Sequence, residues 1–260
     1  MDLKNAVCIV TGSATGIGAA CAVQLAQRGC RTVINYTKSE AEAKQTAAEC
    51  EKHGTETLLV RASVADDADC RRMADAALQK WGRIDGLINN AGTTKVVFNH
   101  ADLDALSAED FQSIYSVNVI GAFQMIRAVE PTMRKQGHGS IVNISSRAGI
   151  DSLGTSIAYA ASKGAMNTMT IGLARALGPQ IRVNAVCPGF VETRWLAGAI
   201  GKRYEEARER YASNSPLRTT STPEDVADVA ISLLAGMRTV TGEFVIVDGG
   251  NRLGAPPLSR

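Results

Sequence analysis

Short apolar runs alternate along this chain with longer stretches in which apolar residues recur at helical spacing. Residues 6–10 (Ala6-Val7-Cys8-Ile9-Val10) are continuously apolar and end in Thr11-Gly12, the pattern of a strand covered on both faces of a parallel sheet. Comparable runs lie at 31–36, 57–61, 86–92, 140–144, 181–186 and 244–247. Helical periodicity predicts helices over 19–28, 66–81, from Ser107 to about Met133, and through Tyr159 and Lys163 to about Leu177. Ser107-Ala108-Glu109-Asp110 reads as a reciprocally capped helix start, and Thr222-Pro223 as an N-cap followed by proline at the first helical position. From 190 to 221 the pattern loosens around Trp195 and scattered charges, so this stretch is expected to be a mobile substrate lid, and 251–260 a C-terminal tail. No repeat or low-complexity linker breaks the alternation. The expectation is one α/β domain over 1–260, doubly wound, with a central parallel sheet of about seven strands and helices on both faces.

Composition narrows this little. The chain has 260 residues, 45% hydrophobic and 21% charged, an ordinary globular balance compatible with a single large domain. A net charge of +2 provides neither a basic field for nucleic acid nor an acidic tail. No apolar run approaches the ~18 to 20 residues of a membrane span. Met1-Asp2-Leu3-Lys4 leads straight into a strand, so no signal peptide is expected. The six cysteines show no C-x-x-C spacing and no clustering with the three histidines, which predicts buried thiols, no metal site and a cytoplasmic protein.

Chemistry enters at the strand ends. Thr11-Gly12-Ser13-Ala14-Thr15-Gly16-Ile17-Gly18 joins a strand to a helix, where glycines permit a tight turn and the helix N-terminus supplies amides and a favourable dipole for phosphate. Strand two runs out into Tyr36-Thr37-Lys38-Ser39 with no carboxylate to hold a ribose 2′-hydroxyl. One cation and several hydroxyls suit a 2′-phosphate instead, so NADP is the expected cofactor, with NAD as the alternative. Ser39 also reads as a helix cap closed by Glu42. Strand four ends in Asn89-Asn90-Ala91-Gly92, which is either ligand-facing polarity at a sheet edge or turn chemistry. Asn118 lies among apolar neighbours in a helix, where its amide needs a partner, structural or water. Strand five delivers Ser145-Ser146, and strand six exits through Cys187-Pro188-Gly189. Tyr159 and Lys163 stand four apart on one helix face. A tyrosine of ordinary pKa ~10 is protonated at neutral pH, and a fixed cation beside it would pull that value down. The stretch 93–106, with Lys95, Phe98 and His100, is longer than a tight connection needs and leaves the sheet beside these residues.

From Ala6 to Gly250 the sequence resembles the short-chain dehydrogenase/reductase family. The resemblance rests on Thr11-Gly12-x-x-x-Gly16-x-Gly18, Asn89-Asn90-Ala91-Gly92, Asn118, Ser146, Tyr159-x-x-x-Lys163, Pro188-Gly189 and Asp248-Gly249-Gly250, in that order. It implies a Rossmann-type domain and a nicotinamide-dependent oxidoreductase that interconverts a ketone and a secondary alcohol. It implies that Tyr159 is the general acid/base, that Lys163 lowers its pKa and binds the nicotinamide ribose, that Ser146 (thirteen positions before Tyr159) bonds the substrate oxygen, and that Asn118 holds a water. Asn90 would pack near the adenosine ribose, and Val191 with Thr193 would meet the carboxamide. Gly12, Ser13, Thr15, Gly16, Ile17, Gly18, Tyr36, Thr37, Lys38, Ser39, Ser63, Val64, Ala91, Gly92, Pro188 and Gly189 complete the implied cofactor site. Ser63 stands where the family often has Asp, and Thr15 where NADP users often have a basic residue, which leaves Lys38 as the obvious cation. Within the family the likeness is to 3-oxoacyl thioester reductases, through Asn35-Tyr36, Pro216-Leu217 and Thr222-Pro223-Glu224-Asp225; sugar, polyol and steroid dehydrogenases share these features. A catalytically silent dinucleotide-binding protein is the alternative of another class. Members commonly form tetramers, so a homotetramer is expected, paired through the Ala-rich helices beginning near Ser107 and Ile157.

Overall fold

Alternate residues of a strand face opposite sides, and the first strand is apolar on both, so both faces of the sheet need cover. A computed structural model describes residues 1–255; residues 256–260, the end of the expected tail, lie outside the described residues. The strands are β1 (Val7–Val10), β2 (Arg31–Tyr36), β3 (Thr57–Arg61), β4 (Gly86–Asn89), β5 (Gly139–Ile144), β6 (Ile181–Pro188) and β7 (Phe244–Val247). All pair in parallel in the order β3-β2-β1-β4-β5-β6-β7. The helices are α1 (Gly16–Gln27), α2 (Glu40–Glu51), α3 (Asp67–Trp81), α4 (Ala108–Tyr115), α5 (Ala122–Gln136), α6 (Ala148–Asp151), α7 (Ile157–Leu177), α8 (Arg194–Ile200), α9 (Tyr204–Ser213) and α10 (Pro223–Ala235).

Val7 and Ile9 face one layer, packed with Met73 of α3, Met125 and Met133 of α5 and Leu177 of α7. Cys8 and Val10 face the other, packed with Leu25 of α1 and Val226, Ile231 and Leu234 of α10. All six cysteines are free and buried. Strand order reverses between β1 and β4, and such a reversal opens a crevice at the carboxyl ends of the strands.

Several local expectations need correction. The first helix begins at Gly16, not near residue 19, so the third glycine of the loop already lies inside it. Ser39 is the N-cap of α2 but accepts no capping bond, and the box with Glu42 does not form. The helix from Ser107 runs on without a break to Gln136, with the reciprocal Ser107–Asp110 cap present, but not uniformly: α4 and α5 are joined by a π-helical turn, Ser116–Gly121, that contains Asn118. Such turns insert an extra residue per turn and recur at functional sites. The loosely patterned stretch 190–221 is largely helical, formed by α8, a 3₁₀ turn at Gly201–Arg203, and α9. Among the described residues no helix is long and apolar enough to cross a membrane.

Candidate active site

Backbone groups released where the strands end need partners, and short polar side chains supply them. Gly12 has φ +62°, where L side chains are strained, and a Cβ there would stand 3.0 Å from Ala91 Cα. Its N–H donates to Asn35 Oδ1 at 2.9 Å, while Asn35 Nδ2 donates to the carbonyls of Val60 (3.3 Å) and Ala62 (3.0 Å). Asn35 therefore bolts the glycine loop to the exit of β3, a positioning role that the sequence pattern signalled only as a lone amide in an apolar strand. Asn90 Nδ2 donates to the carbonyls of Thr11 (2.9 Å) and Gly12 (3.0 Å), and a Cβ on Gly18 would come within 2.5 Å of that nitrogen. Ser13 turns inward, its hydroxyl donating to the Val10 carbonyl at 2.7 Å.

A cleft of about 1630 Å³ opens above these strand ends. Gly12, Thr15, Gly16, Ile17, Tyr36, Thr37, Lys38, Ser63, Val64, Asn90, Ala91 and Gly92 line one part. Ser146, Tyr159, Lys163, Pro188, Gly189, Val191 and Thr193 line the rest. Of the expected residues, Ser13, Gly18, Ser39 and Asn118 do not face it; the first two shape the loop, Ser39 is exposed, and Asn118 is buried behind.

The donor set fits a dinucleotide. Thr15, N-cap of α1, makes no side-chain capping bond, and the first turn carries no acid, so the helix's leading amides and dipole are left for an anion. Lys38 lies exposed at the rim, and Arg194 of α8 reaches the same cleft while standing 3.5 Å from Glu42. Ser63 offers only its hydroxyl: its N–H donates to Asp69 Oδ2 at 2.7 Å, and its carbonyl accepts from the Asp66 N–H at 3.1 Å. Both backbone groups of Ser63 are thereby engaged within the protein.

At the other end, Ser145 and Ser146 have different fates. Ser145 is buried and donates to Asn167 Oδ1 at 2.6 Å. Ser146 lines the cleft beside Tyr159, and its hydroxyl accepts from the Ala148 N–H at 3.1 Å. Lys163 is 3% exposed, donates from Nζ to the Ile144 carbonyl at 2.8 Å, and sits 5.8 Å from the Tyr159 ring centroid. The expectation that Lys163 lowers the Tyr159 pKa is not met in this arrangement. Desolvation pushes the phenol above its ordinary value and the Ser146 hydroxyl beside it opposes the shift. Burial in turn takes Lys163 down from 10.5 to about 8. Asn118 is a clasp: Oδ1 accepts from the Thr93 N–H (2.8 Å), and Nδ2 donates to the Thr93 carbonyl (3.0 Å) and Ser162 Oγ (3.0 Å).

One residue escaped the sequence reading. Arg147, directly after Ser146, is buried and bonds three separate segments: Asp151 at 2.8 Å, Tyr211 of α9 at 3.3 Å, and Asn251 at 2.5 Å, with Asp248 at 3.5 Å. It ties α9 and the turn after β7 to the loop that carries Ser146. Apart from Asp151, four positions on, its partners lie far away in sequence, so no local pattern marks it. Trp195 of α8 stands over Tyr159 with ring centroids 6.4 Å apart.

A family model described as Enoyl-(Acyl carrier protein) reductase matches residues 12–252. The chain is 42% identical over 247 residues to a Streptomyces violaceoruber protein assigned as ketoacyl reductase 2 of the granaticin polyketide synthase, covering 95% of this chain and 96% of that one. It is 38% identical over 252 residues to the 3-oxoacyl-(acyl-carrier-protein) reductase FabG of Thermotoga maritima, covering 96% and 99%. A crystal structure from Burkholderia xenovorans, assigned as a short-chain dehydrogenase/reductase, superposes with a TM-score of 0.90 at 41% identity over 96% of this chain and 99% of that one. A NAD⁺-bound xylitol dehydrogenase superposes with a TM-score of 0.86 at 28% identity, over 96% and 100%.

The buried Lys163 carries a testable stability cost. Because folding lowers its pKa to about 8, this side chain binds fewer protons in the folded protein than in the unfolded chain between that value and 10.5, and its own contribution to stability rises with pH across this window. The buried thiols of Cys21, Cys50 and Cys70, pushed up to about 12, contribute the opposite slope, so the comparison with a variant isolates the lysine. Near pH 7 the cost is about 3 kcal/mol, against ~1 kcal/mol gained from the bond to Ile144. Lys163→Met is expected to stabilise the protein by about 1 to 2 kcal/mol near pH 7, and this advantage over the wild type is expected to shrink toward pH 10. Urea unfolding of both proteins at both pH values, in buffer without nucleotide, measures this; a destabilised variant near pH 7, or a difference from the wild type that does not change with pH, would refute it.

Proposed function

This chain belongs to the short-chain dehydrogenase/reductase family, and we propose that within it the protein is an NADPH-dependent reductase of 3-oxoacyl thioesters. The observation that carries this reading is the meeting of Ser146, Tyr159 and Lys163 on the same cleft as the glycine loop. The nicotinamide cofactor supplies the hydride when bound. Everything else falls to the chain. Ser146 Oγ holds the substrate carbonyl oxygen, and the Tyr159 O–H donates its proton to that oxygen as negative charge develops there. A phenol held above its ordinary pKa keeps this proton at neutral pH, which suits the reductive direction. Lys163 has donors beyond its bond to Ile144 for the ribose hydroxyls. With the Asn118 amide fully engaged, the water-holding role falls to the backbone of its π turn. Val191, and Thr193 as N-cap of α8, close the nicotinamide end beneath the lid 190–221.

Two ketoacyl or oxoacyl reductases among the relatives support the substrate class. The likeness to a xylitol dehydrogenase favours a polyol as the second reading. Reduction of a 3-oxoacyl thioester with NADPH, compared with oxidation of xylitol and related polyols, separates the two. Six free, buried thiols support a reducing, cytoplasmic setting. Exposed Ile120 and Phe123 on the α5 side and Ile157 and Ile171 on α7 support helix pairing in a homotetramer.

Tyr159→Phe keeps the ring and removes the proton, so turnover is expected to fall by about 10²- to 10⁴-fold with cofactor affinity nearly unchanged. In the wild type, alcohol oxidation is expected to speed up as pH rises, because the reverse reaction needs the phenolate. Near-normal turnover of the variant in stopped-flow assays would sink the mechanism. For the cofactor, Lys38 faces the rim beyond a strand without a terminal carboxylate, while Glu40 and Glu42 nearby are paired with Lys44 and Arg194. NADPH is expected to bind about tenfold tighter than NADH, and Lys38→Ala to shrink the gap. Equal dissociation constants in the wild type, titrated at moderate salt, would overturn this preference. Light scattering at micromolar protein should return a mass of four chains, and a monomer would contradict the assembly.

A further inference from the structure

Resting on the reductase reading, we propose that the substrate carries a phosphate remote from its reacting carbonyl, and that Arg203 and Arg210 of the lid receive it. One face of α9 and its leading turn lines the cleft: Arg203, Glu206, Ala207, Arg210, Tyr211 and Asn214 recur there at helical spacing. This face belongs to the substrate end. Tyr211 is bonded to Arg147, the residue after Ser146, and Phe190 packs between Tyr204 and Tyr211 at 5.5 and 5.6 Å.

Arg203 and Arg210 are free to take a ligand. Among the described residues neither forms an ion pair within 4 Å, whereas Arg208, on another face, is paired with Glu192 and Glu205. The Arg203 guanidinium lies 4.6 Å from the Phe98 ring centroid, so the long loop 93–106 and the lid meet at the cleft mouth. Stacking occupies the flat face of a guanidinium and leaves its in-plane N–H fork open for a bidentate oxyanion. It also orders the side chain in advance, which reduces the entropy lost on binding. Glu206 on the same face opposes an anion, but Arg203 of the leading turn and Arg210 outnumber it, so this face carries a net positive charge. A bare ketone or a polyol offers nothing to two guanidinium groups. A thioester borne on phosphopantetheine does, whether the arm belongs to coenzyme A or to a carrier protein.

The test compares kcat/KM for 3-oxobutyryl-coenzyme A with that for the neutral 3-oxobutyryl N-acetylcysteamine thioester, with NADPH saturating. The wild type is expected to favour the phosphate-bearing substrate by about tenfold, the worth of one charge-assisted contact. Arg203→Ala or Arg210→Ala should collapse that ratio through KM, and Glu206→Gln should widen it. Lys202→Ala, a neighbouring cation outside the cleft lining, should leave it unmoved. A wild-type ratio near one, or a ratio unchanged in both arginine variants, would overturn the proposal. So would an arginine-dependent preference for a neutral-headed thioester whose acyl chain ends in a carboxylate, without any preference for phosphate. Calorimetric titration of 4′-phosphopantetheine against pantetheine, with the enzyme saturated in NADP, reads the site without turnover. Tighter binding of the phosphate form, lost in Arg203→Ala, supports it even if neither thioester is reduced, an outcome that would sink only the reductase reading. Equal binding overturns it. Where the preference holds, the carrier-borne thioester tells the two phosphate sources apart.

Discussion

Parallel strands stop together at one edge of the sheet, and the peptide groups released there must find partners away from water. Nearly everything at the site follows from that constraint. Thr11, Asn35, Asn90 and Asn118 each answer a particular N–H or carbonyl group: Oγ1 of Thr11 for the amides of Asn90 and Ala91, Asn35 for Gly12, Asn118 for Thr93. Because these side chains satisfy the loops from within, the leading amides of α1 stay available for a pyrophosphate. The glycines follow from the same demand. A Cβ on Gly18 would collide with the amide nitrogen that holds the loop closed.

Lys163 shows where a proposed function opposes stability. A cation at 3% exposure, held by one carbonyl, is an unfavourable solution for folding alone. It persists beside Tyr159 and Gly92, where its remaining donors face the cleft. The same desolvation raises the Tyr159 pKa, so one enclosed volume shifts both groups toward their neutral forms. On an ordinary solvated helix face the lysine head would stand in water.

The segment 190–221 is built differently from the core. Its helices α8 and α9 have no fully buried residues, and α9 is anchored by Arg147, whose buried guanidinium bonds Asp151, Tyr211 and Asn251, and by Phe190 packed between Tyr204 and Tyr211. Few buried apolar contacts describe an element of low local stability. Arg147 also follows Ser146, so the stem of this segment and that serine share one support.

Strand positions, the reciprocal cap at Ser107, the N-cap at Thr222 and the Tyr159–Lys163 face were legible in the chain, because apolar runs, capping residues and a four-residue repeat are local signals. The family resemblance singled out Ser146 rather than Ser145; in the structure both line the cleft, and the Ser145 hydroxyl is bonded inward to Asn167. The π turn at Asn118, the missing Ser39 cap, the helical lid and the Arg147 hub were not legible. Each depends on a partner far along the chain, such as Thr93 and Ser162 for Asn118, or Tyr211 and Asn251 for Arg147. The direction of the Tyr159 shift was misread for the same reason. Sequence placed a cation four residues away, but only tertiary packing decided how much water each group keeps, and desolvation outweighs a charge whose hydrogen bond is directed elsewhere.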